Sequence, residues 1–591
     1  MTSWNHDHLN RKRRIFLQSV GIVGAYGLTG CTWLNDTDQI ETPVHCLEMR
    51  EVNTDNRNAE FDIYWTLSSD DGDLSSVELT LTNLDTGEQM DVASKRISGD
   101  LASGVTRLVA GDQDEQGYNY EVECLINYTS GRTDTVTTTE TESGAGSGDG
   151  PIQPYSADPR YWEYNGRPVT LIGGDQQDNP FQFVHSDDSH DAITWLDTLA
   201  SLGGNFVRNT LSDRDAVVFG SDNVYAFEKT GSGYDLTQFN PEYFDRLDTY
   251  LAEAQSRDIV VSVELWDGWD LYGDRWDAHP WNPANNRNYS ESTTTLQAPW
   301  NNDPMEEINP FFQTVPSLND DTTVLQHQEA FVQRVLDVTL QYDNVIYLPH
   351  NERRGAVEWS LYWAKFIHAA AANAGRTVYV GEMNDEGNNG SVQPVVDNDA
   401  LSFADVSQHS ERSGQDHFDE LRWSRNDLSE PSVPMNAVKN YDCGNDGAAM
   451  VWRCLMAGAA AARYHRGPFG DCNWGIGLQD RAKVHLKAQR IVVEAVGGSH
   501  RTKAHQEVDH LIHNRDGNEV YMMADPGRVY ALYFKENGSI DLDVSDVRGD
   551  VTVDWRDIEG AEWADSETLS GGTITLTTPT SDSHWAAIVE A

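Results

Sequence analysis

Apolar and polar residues alternate with a period of two through "EFDIYWTL", "SSVELTLTN" and "YNYEVECLINYTS", and the turn clusters "SSDDGD" and "NLDTGE" punctuate them. That alternation predicts antiparallel strands with one buried face. Two such sheets packed together make residues 40–138 an all-β, Ig-like sandwich. In "TVTTTETESGAGSGDGPIQP" the apolar residues give way to Thr, Gly, Ser and acids, so residues 139–154 read as a flexible linker.

From residue 155 to 500 the period changes. Short apolar strands alternate with longer helical patterns such as "AITWLDTLASLG", "YFDRLDTYLAEAQSRD" and "SLYWAKFIHAAAANAG", the signature of parallel β/α units. Eight strand candidates follow in order: "PVTLIGG", "GNFVRNTL", "IVVSVELW", "NVIYLPH", "TVYVGEM", "FADVSQHS", "VPMNAVK" and "AAARYHR". Eight such units predict a (β/α)8 TIM barrel, with the Asn-, Pro- and Trp-rich stretch from Tyr272 to about Asp321 inserted after the third strand. Strand grammar returns over residues 508–591, giving a second sandwich. The expected fold class is multidomain: a TIM barrel flanked by an N-terminal and a C-terminal all-β sandwich.

Composition sharpens this picture. A chain of 591 residues exceeds what one core serves. The formal net charge of -53, from 95 acidic against 42 basic residues, is spread along the whole chain. Phosphate-backbone binding needs clustered Lys and Arg, so a nucleic-acid partner is excluded. Dispersed acidity instead keeps a surface hydrated in concentrated salt and points to a salt-adapted, halophilic protein. With 18 Trp and 23 Tyr the chain holds the large side chains that a disordered acidic chain lacks.

Residues 1–31 are set apart from fold reasoning. "RKRRIFLQSVGIVGAYGLTGC" joins Arg13-Arg14 to a short apolar run and then to Leu28-Thr29-Gly30-Cys31. It resembles a twin-arginine signal followed by a lipobox. That resemblance implies export of the folded protein, lipid attachment at Cys31 and residence at the outer face of the membrane. Export would let disulfides persist. Cys46 with Cys124, near the first and last strands of the N-terminal sandwich, and Cys443 with Cys472, after strands seven and eight, are the expected pairs. Cys454 then remains as a buried thiol.

Barrel enzymes carry their chemistry where strands end. The residues closing the eight candidates are Asp175, Arg208, Trp266 with Asp267, Asn351 with Glu352, Glu382, His409, Lys439, and His465 with Arg466. Carboxyl groups, an arginine, two histidines and tryptophans suit a sugar-cleaving cleft, in which acids attack the glycosidic bond and aromatic faces and polar groups hold the ring. Trp266, Trp269, Trp276, Trp281 and Trp300 are candidates for sugar stacking. No His/Asp spacing resembles a zinc site, and neither metal nor cofactor is expected.

Taken in order, "YNGRPVTLIGG", "GGNFVRNTL", "NVIYLPHNE" and "DVSQHS" resemble the clan A glycoside hydrolases, the cellulase-like, family 5-like barrels. The resemblance covers about residues 155 to 500, and the C-terminal segment resembles the collagen-binding-type β-sandwich module that follows many of them. It implies that Asn351 is a hydroxyl-binding amide, that Glu352 is the acid/base, and that Arg208 supports the carboxylate cluster.

One departure matters. A retaining enzyme holds two carboxyl groups about 5–5.5 Å apart, yet in "SVPMNAVKNYDCG" Lys439 stands where the strand-seven nucleophile is expected. Three explanations stay open: a partner elsewhere, Glu382 ranked before Asp442; an inverting enzyme with about 6.5–9.5 Å between carboxyls; or a barrel that binds glycan without cleaving it. The expected function is a lipid-anchored glycoside hydrolase acting on a poly- or oligosaccharide, with Glu352 and Glu382 catalytic and Arg208, Trp266, Asp267, Asn351, His409, Lys439 and His465 as substrate contacts. The alternative is a non-catalytic glycan-binding surface protein.

Overall fold

The computed structural model describes residues 45–51, 58–69, 71–112, 119–141, 150–184, 190–212, 224–231, 233–302, 307–351, 355–383, 392–406, 418, 421–422, 434–437, 447–465, 468–469, 473–474, 478–515, 519–564, 566–580 and 584–591. Expectations for Cys31, Glu352, His409, Lys439, Asp442, Cys443, Arg466 and Cys472 fall outside the described residues. The chain divides into two units, residues 1–147 and 148–591.

In the first unit, strands Cys46–Glu51, Asn58–Ser68 and Leu101–Asp112 form one antiparallel sheet. Gln89–Gly99, Leu74–Asn83, Asn119–Tyr128 and Thr133–Thr141 form a second, in that order. The alternation sends Phe61, Ile63 and Trp65 from one sheet and Leu79, Val122 and Ile126 from the other into a shared core. Cys124 lies in that core as a free thiol. The disulfide expected between Cys46 and Cys124 is therefore absent: burial pushes the Cys124 thiol up to about 12, which leaves it protonated, inert and packed as a small apolar side chain.

The second unit is built on eight strands: β1 Leu171–Gly174, β2 Phe206–Thr210, β3 Val260–Glu264, β4 Val345–Leu348, β5 Gly381–Glu382, β6 Phe403–Asp405, β7 Met435–Ala437 and β8 Ala461–Tyr464. They form one all-parallel sheet in the order β4-β3-β2-β1-β8-β7-β6-β5. Its two outermost strands also touch, through a parallel bridge between Tyr347 and Val380 and a 3.0 Å bond from the Tyr347 N–H to the Tyr379 carbonyl. Buried on both faces, these strands read as continuous apolar runs. On one face Leu171, Phe206, Val260, Ile346, Leu348 and Phe403 join in a single cluster, each such side chain contributing about 1.5–3 kcal/mol when fully buried. On the other face Val207, Val261, Val263 and Tyr347 pack with the helices.

Those helices are α1 Ala192–Ser201, α2 Pro241–Gln255, α3 Thr322–Thr339, α4 Val357–Asn373, α5 Val392–Asp397, α6 Gly447–Met456 and α7 Asp480–Ala495. Asp191, Asn240 and Asp321 cap the first three, their side chains accepting from the N–H groups of Thr194, Glu242 and Val324. Among the described residues no helix is long and apolar enough to cross a membrane.

The C-terminal strands form two sheets that share a core of Met522, Leu532, Leu542, Val553, Trp555 and Leu576. The other face of this module belongs to the larger core, because Tyr521, Met523, Tyr533, Ile558 and Ile588 cluster with residues of α6 and α7. Trp452 of α6 stacks on Tyr533 with ring centroids 4.8 Å apart and planes 2° from parallel. Arg453 donates to Glu519 and, at 2.9 Å, to the Tyr521 hydroxyl. Beside them Trp452 donates to His485 Nδ1 at 2.9 Å. His485 Nε2 lies 3.6 Å from Glu559, and Arg481 reaches both Glu559 at 2.8 Å and His584 Nε2 at 3.3 Å.

Candidate active site at the strand ends

The register of the sheet sets the site. Arg208 pairs with Ser262 and Thr210 with Glu264 across β2 and β3, while Gly173 of β1 lies beside Phe206 on one side and Arg463 on the other. Strand alternation places Arg208 on the same face as Phe206, two residues further along. The close approach of β1 and β2 demands the glycine: a Cβ on Gly173 would sit 1.7 Å from the Phe206 carbonyl oxygen.

Arg208 is almost completely buried and gathers the surrounding groups. Its Nη2 donates to Asp178, and its Nη1 donates to Asn351 Oδ1 at 3.3 Å. Its Nε lies 3.8 Å from both Asp175 and Glu264. Asp175 also receives Arg463. His465 Nε2 stands 3.3 Å from Asp178 Oδ1 and 3.4 Å from Arg208 Nη2. A protonated Nε2 donates to the carboxylate, and an unprotonated one accepts from the guanidinium.

Asn351, the last described residue before Glu352, is fixed on every side. Its Nδ2 donates to Asp267 Oδ1 at 3.2 Å, its N–H to the Trp266 carbonyl at 2.7 Å, and its carbonyl accepts from Gly268 at 3.0 Å. Asp267 Oδ1 additionally accepts the Trp269 N–H at 3.0 Å. The side-chain amide thus has its oxygen toward an arginine and its nitrogen toward a carboxylate, which fixes its orientation.

Glu264, the last residue of β3, is a member of the site that the sequence leaves unmarked as a strand end, because the apolar run continues past it to Leu265 and Trp266. It is fully buried, accepts the Thr210 hydroxyl through Oε2, and its Oε1 has no hydrogen-bond partner among the described residues. Burial raises its pKa to about 7, against the pull of Arg208, the Thr210 hydroxyl and Arg463 and with the push of Asp405. Asp175, Asp178 and Glu264 are three buried carboxyl groups around the guanidiniums of Arg208 and Arg463, and the buried Asp405 adds a fourth negative charge near Glu264. Buried charges must be paired; burial raises the pKa of Asp175 as well, against the pull of Arg463 and Arg208, but Asp175 has both guanidiniums beside it, whereas Glu264 has a hydroxyl and one guanidinium nitrogen at 3.8 Å. The sequence signal was Ser262 and Glu264 at a spacing of two within "IVVSVELW".

Among the expected contacts, the structure brings Arg208, Asn351, Asp267 and His465 into one network. Glu382 is fully buried, and its carboxyl meets Nε2 of His350, the residue before Asn351, at 3.0 Å. Trp266 packs against Trp359, Trp363, Phe311 and Phe331 at centroid distances of 4.7–6.2 Å. Trp276, Trp281 and Trp300 are likewise buried and pack the inserted segment. Beside the network a small cleft of about 40 Å³ lies between the ends of β2 and β3 and that segment, and Trp266, Phe331, Trp281, Asp267, Asp270 and His279 are among its lining residues.

Among the described residues one grouping has metal-like spacing, His485 with Glu559 and His584, where α7 meets the C-terminal module. Arg481 donates to both Glu559 and His584, and Trp452 donates to His485 Nδ1, which leaves the proton of a neutral His485 on Nε2 facing Glu559. The position a cation would take is held by a guanidinium.

Residues 220–397 match the profile of a domain of unknown function, DUF6298. None of the curated proteins compared matches the chain in sequence. Among solved structures, a glycoside hydrolase superposes with a TM-score of 0.50 at 13% identity, over 75% of this chain and 97% of that one. A family 5 glycoside hydrolase from Bacteroides vulgatus ATCC 8482 gives 0.49 at 12% identity, over 75% and 94%. The family 5 mannosidase from Rhizomucor miehei gives 0.41 at 11%, over 58% and 98%. At these identities the likeness is one of fold.

Proposed function

We propose that the eight parallel strands close into a (β/α)8 barrel of the clan A type and that the protein is a glycoside hydrolase, cleaving O-glycosidic bonds of a poly- or oligosaccharide with Glu352 as acid/base. The observation that carries this reading is the double anchoring of Asn351 by Arg208 and Asp267 at the end of β4, one residue before Glu352. An amide held this rigidly offers a preorganised hydrogen bond to a sugar hydroxyl. The Tyr347–Val380 bridge supports closure, and the fold likeness to a glycoside hydrolase supports the reaction class. The twin-arginine and lipobox pattern of residues 1–31 supports export and anchoring at the outer membrane face through Cys31. The acidic surface supports work in concentrated salt.

A second reading, glycan binding without cleavage, draws on Glu382. Its carboxyl is fully buried and paired with His350 Nε2 at 3.0 Å, a contact that a purely structural carboxylate would also make.

Hydrolysis of a polysaccharide and aryl-glycoside panel in high salt, intact protein against Glu352→Gln, separates the two. Activity that falls by about 10²–10⁴-fold in the variant establishes acid/base catalysis. Binding with no hydrolysis in either protein establishes the second reading.

A further inference from the structure

We propose that the C-terminal module carries a binding site of its own, in which the Trp563 ring and the Arg556 guanidinium take a sugar unit bearing a carboxylate.

The register of two strands makes the site. The two-residue strand Glu562–Trp563 pairs at the sheet edge with the end of Asp550–Asp557, and Arg556 stands opposite Trp563. Residues directly opposite one another share a face of the sheet. On its other side Arg556 stands opposite Ala586, and Ile558 lies two residues further on; both belong to the core shared with α6 and α7. Arg556 and Trp563 therefore occupy the face that packs on those helices, at the edge where it opens to solvent. The Arg556 Cζ lies 5.4 Å from the Trp563 ring centroid, within reach of a cation–π contact.

Both residues stand apart in this chain. Trp563, at 47% exposure, is the only exposed tryptophan among the described residues. Four arginines are buried among the described residues, and Arg208, Arg453 and Arg463 are each paired with a carboxylate. Arg556, 7% exposed, is different: its side chain makes no hydrogen bond or ion pair among the described residues. Asp557 and Glu562 act on it through space, but strand alternation turns both toward the opposite face. A buried cation without a counter-ion is costly. A chain of 95 acidic against 42 basic residues has carboxylates to spare, yet leaves this guanidinium open.

The chemistry of the pair selects the ligand. Only Nε is wholly enclosed, so the terminal Nη groups are what a ligand reaches. A guanidinium edge matches a carboxylate in a bidentate pair, and an open indole face suits the C–H face of a pyranose. Together they fit a uronate, its ring against Trp563 and its carboxylate on Arg556. The anion site stands on the module alone, whereas the sugar as its carrier rests on the glycan reading of the barrel.

The test is calorimetric titration of the full chain with hexagalacturonate, cellohexaose and hexaglutamate at an ionic strength of about 1 M, where repulsion by the net charge of -53 is screened beyond about 3 Å. Hexagalacturonate is expected to bind the parent, and Arg556→Met and Trp563→Ala are each expected to weaken that binding by about tenfold or more. Trp563 is exposed, so its truncation leaves a folded protein. Arg556→Met removes an unpaired buried charge and is expected to melt no lower than the parent; a clear fall in its melting temperature would reveal a protein partner for the guanidinium and overturn the site. So would a parent that does not bind hexagalacturonate, or binding that is unchanged in the folded variants. Hexaglutamate bound as tightly, and lost in the same variants, overturns the sugar as the ligand. Hydrolysis of any glycan by a parent that fails these tests leaves the glycosidase reading standing, and variant-sensitive binding by a protein that hydrolyses nothing leaves the module site standing.

Discussion

Arg208 donates to Asn351 Oδ1 at 3.3 Å, and this contact ties the charged cluster on β1, β2 and β8 to the residue that precedes Glu352. The guanidinium has two tasks, neutralising Asp175 and Asp178 and aiming the amide, and substitutions separate them.

Arg208→Gln removes both tasks and leaves Asp178 buried without its main cation. Breaking a buried pair from one side costs about 3–5 kcal/mol. A large fall in melting temperature is expected, together with loss of activity. A variant that melts with the parent would show that Asp178 is neutral.

Asn351→Ala keeps the charged cluster and deletes only the aimed amide. Activity is expected to fall by about 10²-fold, with melting shifted far less than in Arg208→Gln. Steady-state kinetics on any substrate found in the panel reads this directly. Unchanged kcat/KM would remove Asn351 from the substrate contacts.

Glu264 gives the site a pH signature. Its folded pKa lies above its unfolded value, raised to about 7 mainly by burial. The stability it contributes is therefore full below about pH 4.5 and is lost as pH rises through about 7. Melting temperature measured from pH 5 to 8.5 should decline across that window in the parent and flatten in Glu264→Gln. Identical slopes in the two proteins would assign the proton to another carboxyl.

The C-terminal junction responds in the opposite direction. His485 and Arg481 hold Glu559 down to about 2, and burial with the neighbouring His485 and Arg481 holds His584 down to about 4. Both depressed values mean stability that is present above the unfolded pKa and lost as pH falls, for His584 between about 6.5 and 4. Acid unfolding is expected to begin in that window, and His584→Gln should blunt it. An unchanged acid limb would place the sensitivity elsewhere.

The alternation of strands and helices was legible because parallel strands buried on both faces leave uninterrupted apolar runs, and "NVIYLPH" contains β4 as it stands. Asp267 and Asn351 were legible because they follow such runs, and Arg208 because a lone guanidinium interrupts one. Glu264 was not, because a single carboxyl within "IVVSVELW" becomes meaningful only when the register sets it beside Thr210 and near Arg208. Asp178 and Arg463 were hidden for the same reason, their partners lying far along the chain. The hairpin of Phe227–Thr230 and Gly233–Phe239 went unread. The tryptophans of the insertion suggested sugar stacking, yet Trp276 and Trp281 are buried. A long segment with little regular backbone needs its own aromatic core to hold a shape.

The shared core beneath the C-terminal module changes what a domain boundary means in this chain. Tyr521, Met523, Tyr533, Ile558 and Ile588 complete a packed interior whose other half is α6 and α7. A cut near residue 508 would therefore leave those helices facing water, and the shortened protein would gather into aggregates rather than survive as a smaller folded unit. The module is a wall of the building, and heating the intact second unit should melt module and helices together in a single calorimetric peak.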